Sequence, residues 1–599
     1  MLEDLLAWAR SNGSKISSSV SFQNGDSGFG AVCTSSGPIS IRVPSALIIR
    51  LETAVEHLGP DFGDLATKTR SINAVIKMFL ARERAPAHLA CSFFKPYIES
   101  LPANINSPYV WSAEDQKLLA GTNLGSSLRE NLAELIEEWW SVVSVLPDSM
   151  EKPTQHYVNM KFYYEHKFYT TEDMHKYVTD VDVANWTSFP CYLWAAMIFK
   201  SRSFPAYLLQ EETERKNEGK DIEKEGKTAD QTKSETTPPS DSAMLVPVVD
   251  LLNHSPTAKV TWSGSGGFTL STEGEAGQEV FNNYGQKGNE ELLLAYGFCL
   301  ETNEADSVAL RIKVPPSKWD VLREHVKLPT LADYTTSVVP TAFEAPTPEK
   351  DLLFFIGRDR VPSNLVETFQ WLVQNSWESQ CSTPTIRMKL SGLNHLRQAM
   401  EAKSALLDPS LRASATSSSQ NAKMVHIYVK AQKKLLDGGA KIVKRLEKAE
   451  LATHRDHLVS LKSVYKRDQP FARSLLVALG VASFDDIVNR QLQDQVWLLY
   501  LIRCFNKKEY PDTEESYLPE WLTKSFARMD KETEVTAEEV LQFRELYENI
   551  ILPMNQAAPE IYNVGKWTVR ELIVSTRLLD TIGFVRGRDQ ECILVQQEE

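Results

Sequence analysis

The sequence predicts an α+β fold on three observations. Strand-like alternation broken by turn glycines occupies residues 15–50 and returns over 244–314. Helical spacing fills much of the interval, most plainly over 64–145. It then dominates from about residue 320 to 590. A β-region interrupted by helices and followed by a helical module is not the strand–helix alternation of a doubly wound parallel sheet, and that class is disfavoured.

The elements follow in order. Residues 2–10 predict a short amphipathic helix, with Leu2, Leu5, Leu6 and Trp8 apolar and Asn12-Gly13 as its stop. The strands of 15–50 break at Gly25, Gly28 and Gly30 and close at Val43-Pro44. Leu132, Leu135, Ile136, Trp139, Trp140 and Val143 recur at helical spacing and mark one core-facing stripe. In 211–230, 13 of 20 residues are charged and Ile222 is the only large apolar one. Such a segment cannot bury enough surface to offset its ordering entropy, so 211–242 is expected to be a disordered insertion within a domain. Strands are expected at 244–251, 260–262, 268–271, 279–282 and 307–314, and helices at 396–407, 426–451, 475–479, 496–505, 537–552 and 569–579. A serine-rich loop is expected at 411–422. Lys430, Lys433, Lys434, Lys441, Lys444, Arg445 and Lys448 form the main positive run, which reads as a solvated helix face ahead of a surface for RNA or an acidic partner.

Composition narrows the function. With 42% hydrophobic and 24% charged residues the chain is ordinary globular protein, and 599 residues suit two to four domains. A net charge of −14 argues against non-specific nucleic-acid binding and is compatible with a basic protein substrate, so no direct DNA binding is expected. The seven cysteines form no C-x-x-C pair, so no metal site is expected, and their odd number suits a reducing compartment. The acidic start Met1-Leu2-Glu3-Asp4 is unlike a signal peptide, and no apolar run approaches the roughly 18 residues of a membrane span. The expectation is a soluble monomer away from membranes, cytoplasmic with the nucleus as a second location.

Three groups of residues carry chemistry. Gly25-Asp26-Ser27-Gly28-Phe29-Gly30 lacks the spacing and the following helix of a dinucleotide loop, and fits a sharp hairpin or a close backbone approach to a ligand. Asn253-His254 ends an apolar run broken by Pro247 and Asp250, and a polar pair at a buried strand end needs partners, which a purine edge would supply. Asp250 is either a ligand contact or a turn anchor. Tyr284 and Tyr296, twelve residues apart and each followed by glycine, could be core residues or two walls of a narrow channel. Such a channel would favour a neutral amine and orient it, without metal or covalent nucleophile.

Together, the run 246–256, the stretch 283–298 and the phrase Ser92-Phe93-Phe94-Lys95-Pro96-Tyr97 resemble the split-SET lysine methyltransferases typified by the plant Rubisco large-subunit enzyme. The resemblance is strong over 1–315 and weaker beyond. It implies a SET-domain β-fold interrupted by a helical insert and followed by an all-α substrate-binding domain. It implies S-adenosylmethionine (AdoMet) as cofactor. It places Ser27, Gly28 and Phe29 at the methionine part, Arg202 at the cofactor carboxylate, and Asp250, Asn253 and His254 on the adenosine side. Tyr284 takes the catalytic position, also touching cofactor, and Tyr296 and Phe298 line the lysine channel and cofactor pocket. Ser27 departs from the pattern, because family members often carry an acidic residue there.

The implied domains are 1–95 and 244–315 for the two SET halves, 96–243 for the insert and 316–599 for the substrate-binding domain. Asn282-Asn283-Tyr284-Gly285-Gln286-Lys287-Gly288 looks most like the fungal ribosomal-protein lysine methyltransferases, which implies a large-subunit ribosomal protein as substrate. A histidine methyltransferase of the same fold and a SET-like binding scaffold without turnover are the alternatives. Tyr296 favours lysine over histidine, because relatives of the histidine kind lack tyrosine at that position.

Overall fold

Residues near position 40 pair with residues near position 270, and this long-range pairing defines the fold. In the computed structural model of the chain, Gly37–Val43 runs antiparallel to Phe268–Gly274, with Ile41 opposite Leu270 and Val43 opposite Phe268. Lys15–Ile16 and Thr261–Ser263 complete a four-stranded antiparallel sheet on either side. Ile39, Ile41 and Val43 are buried while Ser40 and Arg42 are exposed, the alternation of a half-buried sheet. The two β-rich stretches of the sequence therefore form one sheet across the helices inserted between them. The α+β expectation holds. The structure describes residues 1–25, 28–59, 62–63, 71–167, 175, 177–178, 181–209, 242–330, 351–408, 419–511, 518–586 and 591–597. The expected disordered insertion at 211–242 lies outside these, except for Ser242, and so does most of the serine-rich stretch; Gln420 opens a helix instead of continuing a loop.

The chain divides into two compact units. The first comprises Met1–Val308 and Leu406–Lys433. Besides the sheet it holds the hairpin Val20–Gly25/Gly28–Cys33 and the pair Ser203–Pro205/Ala243–Leu245. Its longest inserted helix, Asn123–Val143, starts at Thr122, whose hydroxyl accepts from the Gly125 N–H. Of the expected stripe it buries Leu132, Ile136, Trp139 and Val143, while Leu135 and Trp140 are half-buried. The helix Phe189–Arg202 is buried almost all round, with Ser188 at its N-cap.

Two expected strands are corrected. The apolar run 244–251 is strand only over Ala243–Leu245. Pro247 lacks a donor, Val248 sits at φ 74°, and Val249–Leu251 forms a single 3-10 turn. Residues 279–282 make isolated bridges, Val32 with Glu279 and His254 with Asn282, not a strand.

The second unit comprises Ala309–Asp333, Pro346–Ala405 and Lys434–Glu599. Its described part is mostly helical around a core that includes Phe471, Trp497, Leu501, Phe526, Tyr562 and Leu578. To the expected helices it adds a three-stranded antiparallel sheet, Leu458–Ser460, Glu591–Val595 and Gly583–Arg586. Inside the core, Asp468 accepts from Arg503 Nε at 2.7 Å and Nη2 at 3.1 Å, and also caps the helix Gln469–Leu479. Among the described residues no helix is long and apolar enough to cross a membrane.

Candidate active site

The turn after Leu245 distributes consecutive residues in different directions. A β-branched residue at positive φ costs roughly 1–3 kcal/mol, and Val248 bears that cost fully buried. Beyond it, Asp250 faces the insert, Leu252 exposes its carbonyl to a tyrosine, and Asn253–His254 meet the 282–284 segment.

His254 forms a parallel bridge with Asn282 in which the bonds are made by its neighbours: Asn282 N donates to Asn253 O at 2.8 Å and Ser255 N to Asn282 O at 3.0 Å. The backbone N–H and C=O of His254 itself therefore point away from the bridge, and they form no hydrogen bond among the described residues. The imidazole Nδ1 accepts from the Tyr284 N–H at 3.1 Å, which fixes Nδ1 as the unprotonated nitrogen. Burial, aided by the charge of Lys287, lowers the His254 pKa and keeps the ring neutral at neutral pH.

Aromatic rings continue from there. His254 stacks on Tyr284 with centroids 4.9 Å apart, Tyr284 on Tyr296 at 4.8 Å, and Phe298 meets Tyr296 edge-on at 6.1 Å. Each such contact contributes about 0.5–1.5 kcal/mol beyond area burial. Tyr296 is the last residue of the helix Asn289–Tyr296. The Asp306 carboxylate caps the start of that helix through Asn289 N at 2.7 Å. Gly297 ends it at φ 77°, where an added Cβ would lie 2.2 Å from the Asn106 carbonyl oxygen. Only glycine permits both the left-handed turn and that approach, so Tyr296 is positioned at both ends.

The two hydroxyls differ. Tyr284 donates to the Leu252 carbonyl at 2.8 Å. The Tyr296 hydroxyl has no hydrogen-bond partner among the described residues, although its ring is partly buried. Burial pushes the Tyr284 pKa up to about 12 and raises that of Tyr296 further, so both stay protonated.

A second group lies at the hairpin. Asn253 Nδ2 donates to Glu279 Oε1 at 2.7 Å, and a Cβ on Gly30 would come within 3.2 Å of both atoms. Gly28, at φ 96°, has open space where a side chain would project. Phe29 is partly buried and joins none of the ring contacts above, while Ser27 lies outside the described residues.

Arg202, at the end of its helix, forms the third group. Its Nη1 donates to the Asp250 carbonyl at 2.8 Å and to Asp250 Oδ2 at 3.3 Å. Burial alone would lower the arginine pKa, but Asp250, Tyr97 and Tyr284 together raise it, so the guanidinium is charged. The Asp250 carboxylate is fully buried and turned to Arg202 and Tyr97. Electrostatics tie the groups together, since Arg202, Asp250 and Glu279 all act on the Tyr284 hydroxyl.

This donor set fits AdoMet. The open N–H and C=O of His254 match the acceptor and donor of an adenine edge. Arg202 retains N–H groups without acceptors among the described residues, suited to a carboxylate. The glycine strand leaves room for backbone approach. Sequence reasoning missed Glu279, the Leu252 carbonyl and the partnership of Tyr97 with Asp250. Only Tyr97 carried a signal, within Lys95-Pro96-Tyr97.

Comparison with known proteins places these features in a class. The chain is 26% identical over 624 residues to protein-lysine N-methyltransferase EFM1 of Saccharomyces cerevisiae, covering 100% of this chain and 98% of that protein. It is 28% identical over 581 residues to ribosomal lysine N-methyltransferase 1 of the same yeast, covering 91% and 92%. A family model described as the EFM1 middle domain matches residues 343–454. Its fold is similar to the crystal structure of the SET domain of LSMT bound to lysine and AdoHcy, with a TM-score of 0.51 and 16% identity over 82% of this chain and 98% of that one. The chain has the split-SET fold and matches the lysine methyltransferases of that family.

Proposed function

We propose that this protein is an AdoMet-dependent protein-lysine N-methyltransferase. The observation that carries the reading is the pair of stacked tyrosines with unequal hydroxyls. Tyr284 has committed its proton to the Leu252 carbonyl, so its oxygen presents acceptor lone pairs. Such an oxygen suits a polarised methyl group or an amine N–H. The uncommitted Tyr296 hydroxyl rotates to orient the incoming lysine nitrogen. A free lysine amine has a pKa near ~10.4, and an aromatic-walled, poorly hydrated channel favours its neutral, nucleophilic form.

AdoMet supplies an activated methyl group on its sulfonium. The chain's part is to hold and align. Arg202 takes the carboxylate, Gly28 and Phe29 with Ser27 take the methionine part, and Asn253 with the His254 backbone takes adenosine. Phe298 walls the pocket beside Tyr296. Asp250 acts from behind Arg202. The mostly helical second unit serves as the platform for the protein substrate.

We further propose a large-subunit ribosomal protein as that substrate, supported by the similarity to ribosomal lysine N-methyltransferase 1. The test is transfer of labelled methyl groups from AdoMet to ribosomal and to ribosome-free fractions of fungal cells lacking such an enzyme. Label on lysine in a large-subunit protein is expected. Label on lysine only in the ribosome-free fraction overturns the ribosomal target. Cofactor binding with no transfer to either fraction overturns the enzyme in favour of a binding scaffold. Location in the cytoplasm, with a nuclear pool, accords with such a substrate and is checked by imaging the tagged chain.

A further inference from the structure

We propose that Tyr97 is a positioning residue for cofactor binding: it restrains the Asp250 carboxylate so that Arg202 keeps its free N–H groups for the cofactor carboxylate. This rests on the reading of Arg202 given above. Tyr97 lies on the helix Lys95–Ser100, far in sequence from both partners, and is fully buried. Its hydroxyl donates to Asp250 Oδ2 at 2.8 Å. That same oxygen receives Arg202 Nη1 at 3.3 Å, the longer of the two contacts. The other oxygen, Oδ1, is buried without a hydrogen-bond partner.

The arrangement is unusual for an arginine–aspartate pair. Left to themselves, a guanidinium and a carboxylate prefer two parallel hydrogen bonds, the stronger geometry. Here the pair is held at one, and a buried acceptor goes unsatisfied at a cost of roughly 1–3 kcal/mol. Tyr97 supplies the restraint, because its bond to Oδ2 opposes rotation of the carboxylate toward Arg202. The consequence is functional. A bidentate Asp250 would occupy the fork that the cofactor carboxylate needs, and the two anions compete for one cation. With Tyr97 in place, Asp250 keeps Arg202 charged and anchored by Nη1 while the remaining donors stay free. Burial and the neighbouring Asp250 charge raise the Tyr97 pKa well above the ordinary tyrosine value, so the restraint persists at alkaline pH.

The test compares two ligands on the full chain by calorimetry: AdoHcy, and S-adenosyl-3-thiopropylamine, the same molecule without its carboxylate. Tyr97→Phe is expected to weaken AdoHcy about tenfold, equivalent to about 1.4 kcal/mol, and to change the decarboxylated ligand by less than about twofold. Arg202→Met is expected to show the same selectivity. Equal losses for both ligands in Tyr97→Phe, or no loss for either, overturn the proposal while a selective Arg202→Met leaves the arginine reading standing. Equal losses in Arg202→Met overturn the arginine reading itself. Should Tyr97→Phe fail to fold, Asp250→Asn addresses the same link, since asparagine still accepts from Tyr97 but no longer clamps Arg202 as an anion. It is expected to change AdoHcy affinity while leaving the decarboxylated ligand within about twofold, and equal effects on both ligands, or none on either, overturn the proposal.

Discussion

Removing one hydroxyl at a time separates the two stacked tyrosines. Tyr284→Phe keeps both ring contacts, at 4.9 and 4.8 Å, and deletes the 2.8 Å bond to the Leu252 carbonyl. A neutral hydrogen bond contributes about 1 kcal/mol, and a carbonyl left without its donor takes the stability loss to ~1–3 kcal/mol. The His254 backbone is held separately, through the Asn253–Asn282–Ser255 bonds, so the adenine edge survives the change. AdoHcy affinity is therefore expected within about twofold of wild type. Methyl transfer at saturating cofactor is expected to fall ~10²-fold, the scale for losing one aimed polar contact in a transition state, or about 2.7 kcal/mol. Tyr296→Phe breaks no hydrogen bond among the described residues, so its stability cost is expected below about 0.5 kcal/mol, with a comparable fall in rate. The assays are single-turnover transfer from methyl-labelled AdoMet, AdoHcy calorimetry and denaturant unfolding. One pattern refutes the reasoning: Tyr284→Phe losing more than about tenfold in AdoHcy affinity while turning over at the wild-type rate once saturated. Tyr284 would then be a wall of the cofactor pocket with no part in the transfer.

Three further outcomes are expected. Because burial raises the Tyr284 pKa to about 12, its proton is retained through the range where a free tyrosine titrates, near ~10. The pH–rate profile should rise as the substrate lysine loses its proton and show no falling limb near pH ~10; a limb there that vanishes in Tyr284→Phe would contradict the assignment. By linkage, the stability associated with this raised pKa is present below pH ~10 and lost as pH rises toward about 12, readable in unfolding curves. Gly297→Ala places a Cβ 2.2 Å from the Asn106 oxygen at φ 77°, so Tyr296 must move; transfer should fall at least ~10-fold together with melting temperature, and an unchanged rate would show that Tyr296 needs no such anchoring. Asp468→Asn uncouples the fully buried Arg503 in the second unit and should destabilise by ~3–5 kcal/mol in denaturant melts, while a loss under ~1 kcal/mol would mean that the charge is satisfied elsewhere.

The parts of the site that were legible in the sequence are those in which local chemistry and position coincide. Tyr284 and Tyr296 stand out as tyrosines each followed by glycine, but the helix Asn289–Tyr296 that Gly297 ends is not among the expected elements, because a helix of eight residues lies within a stretch that reads as strands. The pairing of Gly37–Val43 with Phe268–Gly274 was foreshadowed by alternation in each, though not their partnership, since period-2 patterns name a face and not a neighbour. The three-stranded sheet of the second unit was missed because strands of three to five residues show too few alternations to stand out. Glu279 and the Leu252 carbonyl gave no signal at all. One is an exposed acid among many, and the other is a backbone group whose use depends on a ring 32 residues away. Tyr97 stands 153 residues from Asp250, and no periodicity links them.

The misread strand at 244–251 shows why the site needs the irregularity there. A strand continued through 248–254 would alternate faces, sending Asp250, Leu252 and His254 to one side and Asn253 to the other. The observed chain does something a strand cannot. The turn at Val248 sends the Asp250 carboxylate to Arg202 and Tyr97, the Leu252 carbonyl to Tyr284, the Asn253 amide to Glu279, and the His254 ring to the Tyr284 N–H. Four nearby residues thereby reach four different partners and leave the His254 backbone edge open. The positive φ of a buried valine is the conformational cost of that dispersal, and it falls where fold economy alone would have kept a strand. The departure from regular structure is thus itself an indication of function, independent of any residue's identity, and it meets the ring stack at His254 and Tyr284.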